Sequence, residues 1–123
     1  MMIEVLKSIK NEFKRLNIPY SFDDWNIDVE LPYFVGELSE ITTNDEDGKR
    51  EFTFTLTGED VDTYLDLYEI TENLKKEYKQ SKKITLDTGI MVMTYNRTIN
   101  IPVEDERIKR TQSEFTIVLW EKE

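Results

Sequence analysis

The amino-acid sequence predicts an α+β fold, in which a mixed, mainly antiparallel sheet of four to five strands is flanked by two helices. An amphipathic helical pattern opens the chain, and alternating strand patterns occupy its middle and its end. Between residues 31 and 78 the hydrophobic period also changes from two to about three and a half. Such a change favours a sheet with a helix packed on it.

The first element is predicted to be a helix over residues 2–16. Charged residues separate five apolar residues that recur at helical spacing: Ile3, Leu6, Ile9, Phe13 and Leu16. The residue before a proline is disfavoured in the helical region, so Pro19 is expected to end the helix and to begin an extended stretch at 20–22.

Residues 33–43 and 50–57 are predicted to form an antiparallel hairpin. The second of these segments alternates apolar residues with threonines, as a half-buried strand does. Between them, 44–48 ends in an Asp-Gly pair that favours chain reversal. Gly36 interrupts the first strand and indicates either a bulge or a close backbone approach.

A second helix is predicted to begin at the capping-box pattern Thr57-Gly58-Glu59-Asp60 and to run to Tyr78. Acidic residues near its start and lysines near its end match the helix dipole. The residues that recur at helical spacing along it are Val61, Tyr64, Leu65, Tyr68, Thr71, Leu74 and Tyr78.

The last part of the chain is predicted to contain an extended segment at 84–95, broken at Gly89, and an extended arm around 96–110. A final strand follows at 115–120 with apolar residues on both faces. Such a strand is either central in the sheet or presents one face to another molecule, and we expect the second arrangement. All elements are assigned to a single domain, 1–123.

The composition excludes several kinds of chemistry. The 123 residues include no cysteine and no histidine, which rules out disulfides, thiolate catalysis, Ser-His-Asp catalysis and histidine-bound zinc. The acidic turn at 44–48 is too short for an EF-hand calcium loop. We therefore expect no enzyme, no catalytic residue, no metal and no cofactor.

The net charge of −10 argues against binding to nucleic acid, which depends on clustered basic residues. No apolar run approaches the roughly 20 residues that cross a bilayer, so we expect a soluble protein. The first sixteen residues lack the compact apolar block of a signal peptide and are expected to be mature sequence.

Without a catalytic motif, the candidate functional residues are those of contact surfaces. Trp25, in a polar corner, either anchors its loop to the core or contacts a partner. The other candidate contact residues come from three segments: the acidic turn, the apolar 90–103 stretch and the basic residues before the final strand. The candidate contact residues are Trp25, Asp45, Glu46, Asp47, Met91, Met93, Tyr95, Arg97, Ile99, Ile101, Arg107, Lys109 and Arg110.

The order of these elements resembles the small tail terminator, or tail completion, proteins of long-tailed (siphovirus-type) bacteriophages and prophages. The resemblance is architectural, covers most of the chain and is carried by the segments 32–38, 52–56, 62–78 and 105–120. In that family an acidic residue and basic residues precede the terminal strand. The corresponding residues of this chain are Asp105, Arg107, Lys109 and Arg110.

The resemblance implies a structural protein that assembles as a ring, commonly a hexamer, caps the tail tube and forms the head-tail joining surface. The implied partners are copies of itself, the tail-tube protein and the head-tail connector protein, with no direct contact to nucleic acid or membrane. The implied location is the virion tail or the host cytoplasm during assembly. The acidic turn and the basic end of the second helix would offer faces of opposite sign.

Two other functions remain open at this point. An acidic inhibitor or nucleic-acid mimic that binds a basic partner fits the net charge, and it predicts carboxylates on one continuous face. In this sequence the carboxylates are spread along the chain with lysines between them. A small enzyme using only carboxylates and tyrosines would instead show a cleft that gathers acids with strongly perturbed pKa values.

Overall fold

The structure is a computed structural model that describes residues 2–23, 30–41 and 48–122. In chain order its elements are α1 (Met2–Arg15), β1 (Tyr20–Phe22), β2 (Tyr33–Ile41), β3 (Lys49–Val61), α2 (Leu65–Tyr78), β4 (Lys82–Leu86), β5 (Gly89–Ile101) and β6 (Ile108–Glu121). The strands form one sheet in the order β1-β2-β3-β6-β5-β4. β1 runs parallel to β2, and the other neighbours are antiparallel.

The predicted α+β class with two helices is confirmed, although the described residues form six strands where the sequence predicts four to five. The additional strand arises in part from the segment 84–95, which the sequence predicts to be a single strand broken at Gly89. The chain instead reverses after Leu86, and β4 pairs antiparallel with β5 so that Leu86 lies opposite Gly89. The break that the glycine indicated is therefore a turn between two strands.

Both helices pack on the same face of the sheet. Phe54 and Phe115 are register partners on β3 and β6, so their side chains share a face. The ring centroids of Phe13 in α1 and Phe54 are 5.9 Å apart, and those of Tyr78 in α2 and Phe115 are also 5.9 Å apart. β6 is central in the sheet, and its inward residues Phe115, Ile117 and Leu119 are fully buried.

α1 contacts both edge strands of the sheet. On one side, the Phe13 and Tyr20 rings meet edge-to-face with centroids 4.8 Å apart. On the other, the amide of Thr88, just after β4, donates to the Glu4 carboxylate at 3.1 Å. Val5, Ile9 and Phe13 are fully buried between these contacts. α1 therefore joins the two edges through one buried stripe.

The buried stripe of α1 differs from the predicted one. The helix itself is confirmed, but Val5 takes the buried place expected for Ile3 and Leu6. Ile3 is 69% exposed, and Leu6 is half-buried. The apolar arc of the helix is thus wider than the part that the core covers.

The β2–β3 hairpin is confirmed, with Leu38 opposite Phe54. Gly36 marks neither a bulge nor a close backbone approach, because its pairing is regular and the groups beside it are side chains: a Cβ there would lie 2.7 Å from the Tyr20 hydroxyl. The tip of this hairpin, at 42–47, lies outside the described residues, as does Trp25.

The predicted start of the second helix is wrong. β3 runs through the expected capping box to Val61 because β2 and β6 pair with its backbone there, with Thr57 opposite Val35 and Gln112. The helix begins only at Leu65, whose amide donates to the Thr63 hydroxyl at 3.1 Å. Strand pairing with distant segments therefore outweighs the local capping pattern.

A polar cluster fastens α1 to α2 and to β4. The Glu12 carboxylate accepts from the Tyr78 hydroxyl at 2.7 Å, from Lys82 at 2.9 Å and from Arg15 at 3.2 Å. Arg15 also reaches Glu77 at 3.0 Å. Partial burial by itself raises the pKa of Glu12, but the hydrogen bonds from Lys82, Tyr78 and Arg15 outweigh it and hold the pKa below its ordinary 4.5. Burial raises the pKa of Tyr78, and the hydrogen bond to Glu12 raises it further. The Tyr78 hydroxyl therefore stays protonated and remains a hydrogen-bond donor.

Acidification is expected to weaken this cluster. Because the folded-state pKa of Glu12 is lowered, its contribution is complete above the ordinary pKa of 4.5 and is lost as the pH falls through the lowered value. Glu12→Gln removes this titration, so the melting temperature of the variant should fall less steeply than that of the wild type between about pH 5 and pH 3. Thermal melting followed by circular dichroism measures the two slopes.

The control for this experiment is Glu37→Gln, which alters an exposed carboxylate that has no ion pair among the described residues. This variant should keep the acid dependence of the wild type. Equal slopes for Glu12→Gln and wild type would contradict the assignment.

Candidate functional site: the hairpin end

The part of β5 and β6 farthest from the β4–β5 turn is fixed to the rest of the fold and is not a free arm. Beyond residue 96 the strands stay paired, up to Ile101 opposite Arg110. The side-chain amide of Asn100 donates to the Tyr68 hydroxyl of α2 at 2.8 Å. The amide of Asp62, after β3, donates to the carbonyl of Arg107 at 2.6 Å. The predicted arm at 96–110 is therefore the rigid end of a hairpin.

A bulge at Asn96 separates this end from the core. Tyr95 pairs with Phe115, but Arg97 pairs with Glu114, so one extra residue is inserted in β5. Inside the bulge a chain of hydroxyl groups runs from Tyr95 to Thr98 at 2.6 Å and from Thr98 to Ser113 at 2.7 Å. Ser113 is 1% exposed, so these groups depend on one another for hydrogen bonds.

Apolar side chains remain uncovered where the hairpin meets the start of α2. Leu65 is 73% exposed, and Val61, Tyr68 and Ile99 are also exposed. A cavity of about 390 Å³ lies at the same end of the fold, with Tyr64, Ile101, Pro102 and Val103 in its wall. We call this region the hairpin-end surface and define it by Tyr64, Leu65, Tyr68 and Ile101.

The hairpin-end surface is ordered by ring contacts. The Tyr64 and Tyr68 rings stack with centroids 5.2 Å apart and planes within 8° of parallel. The Lys109 ammonium lies 5.8 Å from the Tyr64 centroid and donates to the carbonyl of Glu106 at 2.9 Å. Side chains held in this way lose little conformational freedom when a partner covers them.

The basic residues at this end are paired within the chain. Arg110 forms a salt bridge with Glu59, and Arg97 forms one with Glu114. Arg107 pairs with Asp105, whose pKa it lowers by hydrogen bonding. Because each of these arginines is paired, they do not form an open basic patch.

The candidate contact residues fall into three groups. Arg97, Ile99, Ile101, Arg107, Lys109 and Arg110 come together at the hairpin end. Met91 and Met93 are fully buried and Tyr95 is 9% exposed, so in the folded chain these three side chains belong to the core. Trp25, Asp45, Glu46 and Asp47 lie outside the described residues.

Sequence reasoning missed the part of this surface that α2 supplies. The predicted helical stripe begins with Val61, Tyr64, Leu65 and Tyr68, but the buried residues of α2 are Leu67, Thr71, Leu74 and Tyr78. A usable signal was present, since Leu65 and Leu67 lie about 200° apart around a helix and cannot share one buried face.

Within residues 2–23, 30–41 and 48–122, no three carboxylates are grouped so that they could hold a metal ion. No helix in the same ranges is long and apolar enough to span a membrane. Neither the known protein-family models nor the curated protein sequences give a match to this chain.

Removing the Thr98 hydroxyl is expected to weaken the hairpin end. Thr98→Val keeps the branched shape of the side chain but leaves the hydroxyls of Tyr95 and Ser113, both buried, without their shared hydrogen-bond partner. We expect a loss of about 1–3 kcal/mol in the free energy of unfolding, measured by urea denaturation. Thr116→Val is the matched control, because its hydroxyl accepts from Asn96 at an exposed site and should cost less than about 1 kcal/mol. Equal losses in the two variants would contradict a buried hydroxyl chain.

Proposed function

We propose that the protein is a structural assembly protein of a long-tailed bacteriophage or prophage, of the tail terminator or tail completion kind. It forms a ring of identical copies that caps the tail tube and presents the joining surface for the head-tail connector protein. It acts in the virion tail or in the host cytoplasm during assembly. The order of helices and strands, with both helices on one face of a mixed sheet, supports this proposal.

The observation that carries the proposal is the hairpin-end surface. The core is already complete without it, since Phe54, Leu74, Tyr78 and Phe115 are fully buried. Even so, Leu65 and Tyr68 of α2 stay exposed, and the Tyr68 ring is held in place by stacking on Tyr64. Clustered apolar side chains in a rim of polar groups are typical of protein–protein contact sites.

The mechanism is assembly through complementary surfaces and involves no turnover of a substrate. A ring needs heterologous contacts, in which one surface of each copy meets a different surface of the next. The hairpin-end surface supplies one side of such a contact. Because its aromatic side chains are already stacked, association releases water from apolar surface at a small entropic penalty.

Substitution of Leu65 is expected to prevent self-association without unfolding the chain. Leu65→Glu places a charge in the middle of the apolar surface, and an acidic residue in the first turn of a helix is favourable for the helix itself. Size-exclusion chromatography with light scattering should show a closed oligomer for the wild type, alone or with the tail-tube protein encoded in the same genome. The variant should be monomeric with an unchanged melting temperature.

The control is Asn73→Glu, which adds the same charge on an exposed position of α2 two turns away and should assemble as the wild type does. A wild type that remains monomeric at high concentration, with and without tail-tube protein, would contradict the proposal. Tight binding of that monomer to a basic protein would instead favour the acidic inhibitor.

A further inference from the structure

A groove of about 410 Å³ lies between α1 and the β1 edge of the sheet. Ile3 and Leu6 of α1 form one wall, and Tyr20 and Phe22 of β1 form the other. Ile3 is 69% exposed and Phe22 is 36% exposed, so the groove is apolar and open. It exists because the apolar arc of α1 is wider than the stripe that Val5, Ile9 and Phe13 bury.

Two lysines on α1 line the same groove. Lys7 and Lys10 are exposed, and neither has an ion pair within the described part of the chain. They lie one helical turn apart, which places their Cβ atoms about 5–6 Å from each other. In a chain of net charge −10, two unpaired cations beside an apolar groove favour an occupant that is apolar and acidic.

The hairpin end has this composition. β5 ends at Ile101, and the turn to β6 begins with Pro102 and Val103; all three residues line the cavity at that end. Glu104 and Glu106 follow at once, are exposed, and make no salt bridge with a described residue. An apolar segment is thus followed directly by two carboxylates that have no cation of their own.

We propose that the groove between α1 and β1 receives the hairpin end of a second copy of this chain. Ile101, Pro102 and Val103 of that copy pack against the apolar walls, while its Glu104 and Glu106 meet Lys7 and Lys10. This inference rests on the proposed ring-forming function and identifies the surface that the hairpin end contacts.

A chain cannot fill its own groove in this way. Its hairpin end is held to α2 by Asn100 and to the end of β3 by Asp62. In the sheet, β2, β3 and β6 lie between β1 and β5. Each copy therefore keeps one groove and one hairpin end for two different neighbours, which is the heterologous contact that closes into a ring.

Reversal of the charges on each side tests the contact. The groove variant is Lys7→Glu/Lys10→Glu, and the hairpin variant is Glu104→Lys/Glu106→Lys. All four side chains are exposed, so both variants should fold, as their melting temperatures verify. Alone, each variant brings like charges together and should raise the dissociation constant of the oligomer at least tenfold.

Mixing the two variants provides the decisive result. In an equimolar mixture, the altered hairpin end of one variant carries lysines that face the glutamates in the altered groove of the other. The second contact joins the unaltered hairpin end of the groove variant to the unaltered groove of the hairpin variant, so its charges match as in the wild type. The mixture should therefore regain the oligomer seen for the wild type by light scattering. Lys14→Glu/Lys122→Glu is the control, because it makes the same charge change at two exposed lysines that do not line the groove, and it should assemble normally.

The outcomes separate this inference from the proposed function. If the wild type assembles but the groove variant assembles equally well alone, the inference is overturned and the ring-forming function stands. If each variant is monomeric and the mixture stays monomeric, the two surfaces do not meet each other and the inference is again overturned. If the wild type never assembles, both fail.

Discussion

The packing of α1 between the two edge strands is the constraint on which the rest of the structure depends. Its buried stripe of Val5, Ile9 and Phe13 covers the inner face of the sheet, and full burial of each such side chain is worth roughly 1.5–3 kcal/mol. The same helix holds α2 in place through Glu12 and Tyr78. Because α1 is fixed by these contacts, its remaining apolar residues form one wall of an open groove.

The local patterns of the sequence were sufficient to identify α1, the β2–β3 hairpin and the final strand. Each of these elements has an apolar periodicity that is set within the element itself. They could not show which part of the apolar arc of α1 is buried, since Ile3 and Val5 are equally apolar and only the distant sheet decides between them. They also could not show that pairing with β6 continues through the predicted capping box at Thr57.

The candidate site was predictable only in part, and the bulge at Asn96 explains why. Before the bulge the odd-numbered residues Met91 and Met93 face the core, whereas after it the odd-numbered Ile99 faces outward. A single inserted residue reverses the faces of a strand, and nothing in the local alternation reports it. The exposure of Leu65 depends likewise on where α2 meets β5, a contact between segments far apart in sequence.

Native-state hydrogen exchange of α1 tests the central claim most directly. If α1 is part of the core, the amides of Ile9 and Phe13 should exchange only by global unfolding, with the same free energy of opening as the amide of Ile117 in the central strand β6. Exchange of the α1 amides at a much lower free energy than that of Ile117 would show that the helix detaches on its own. In that case neither the groove nor the joined sheet edges would be a lasting feature of the folded chain.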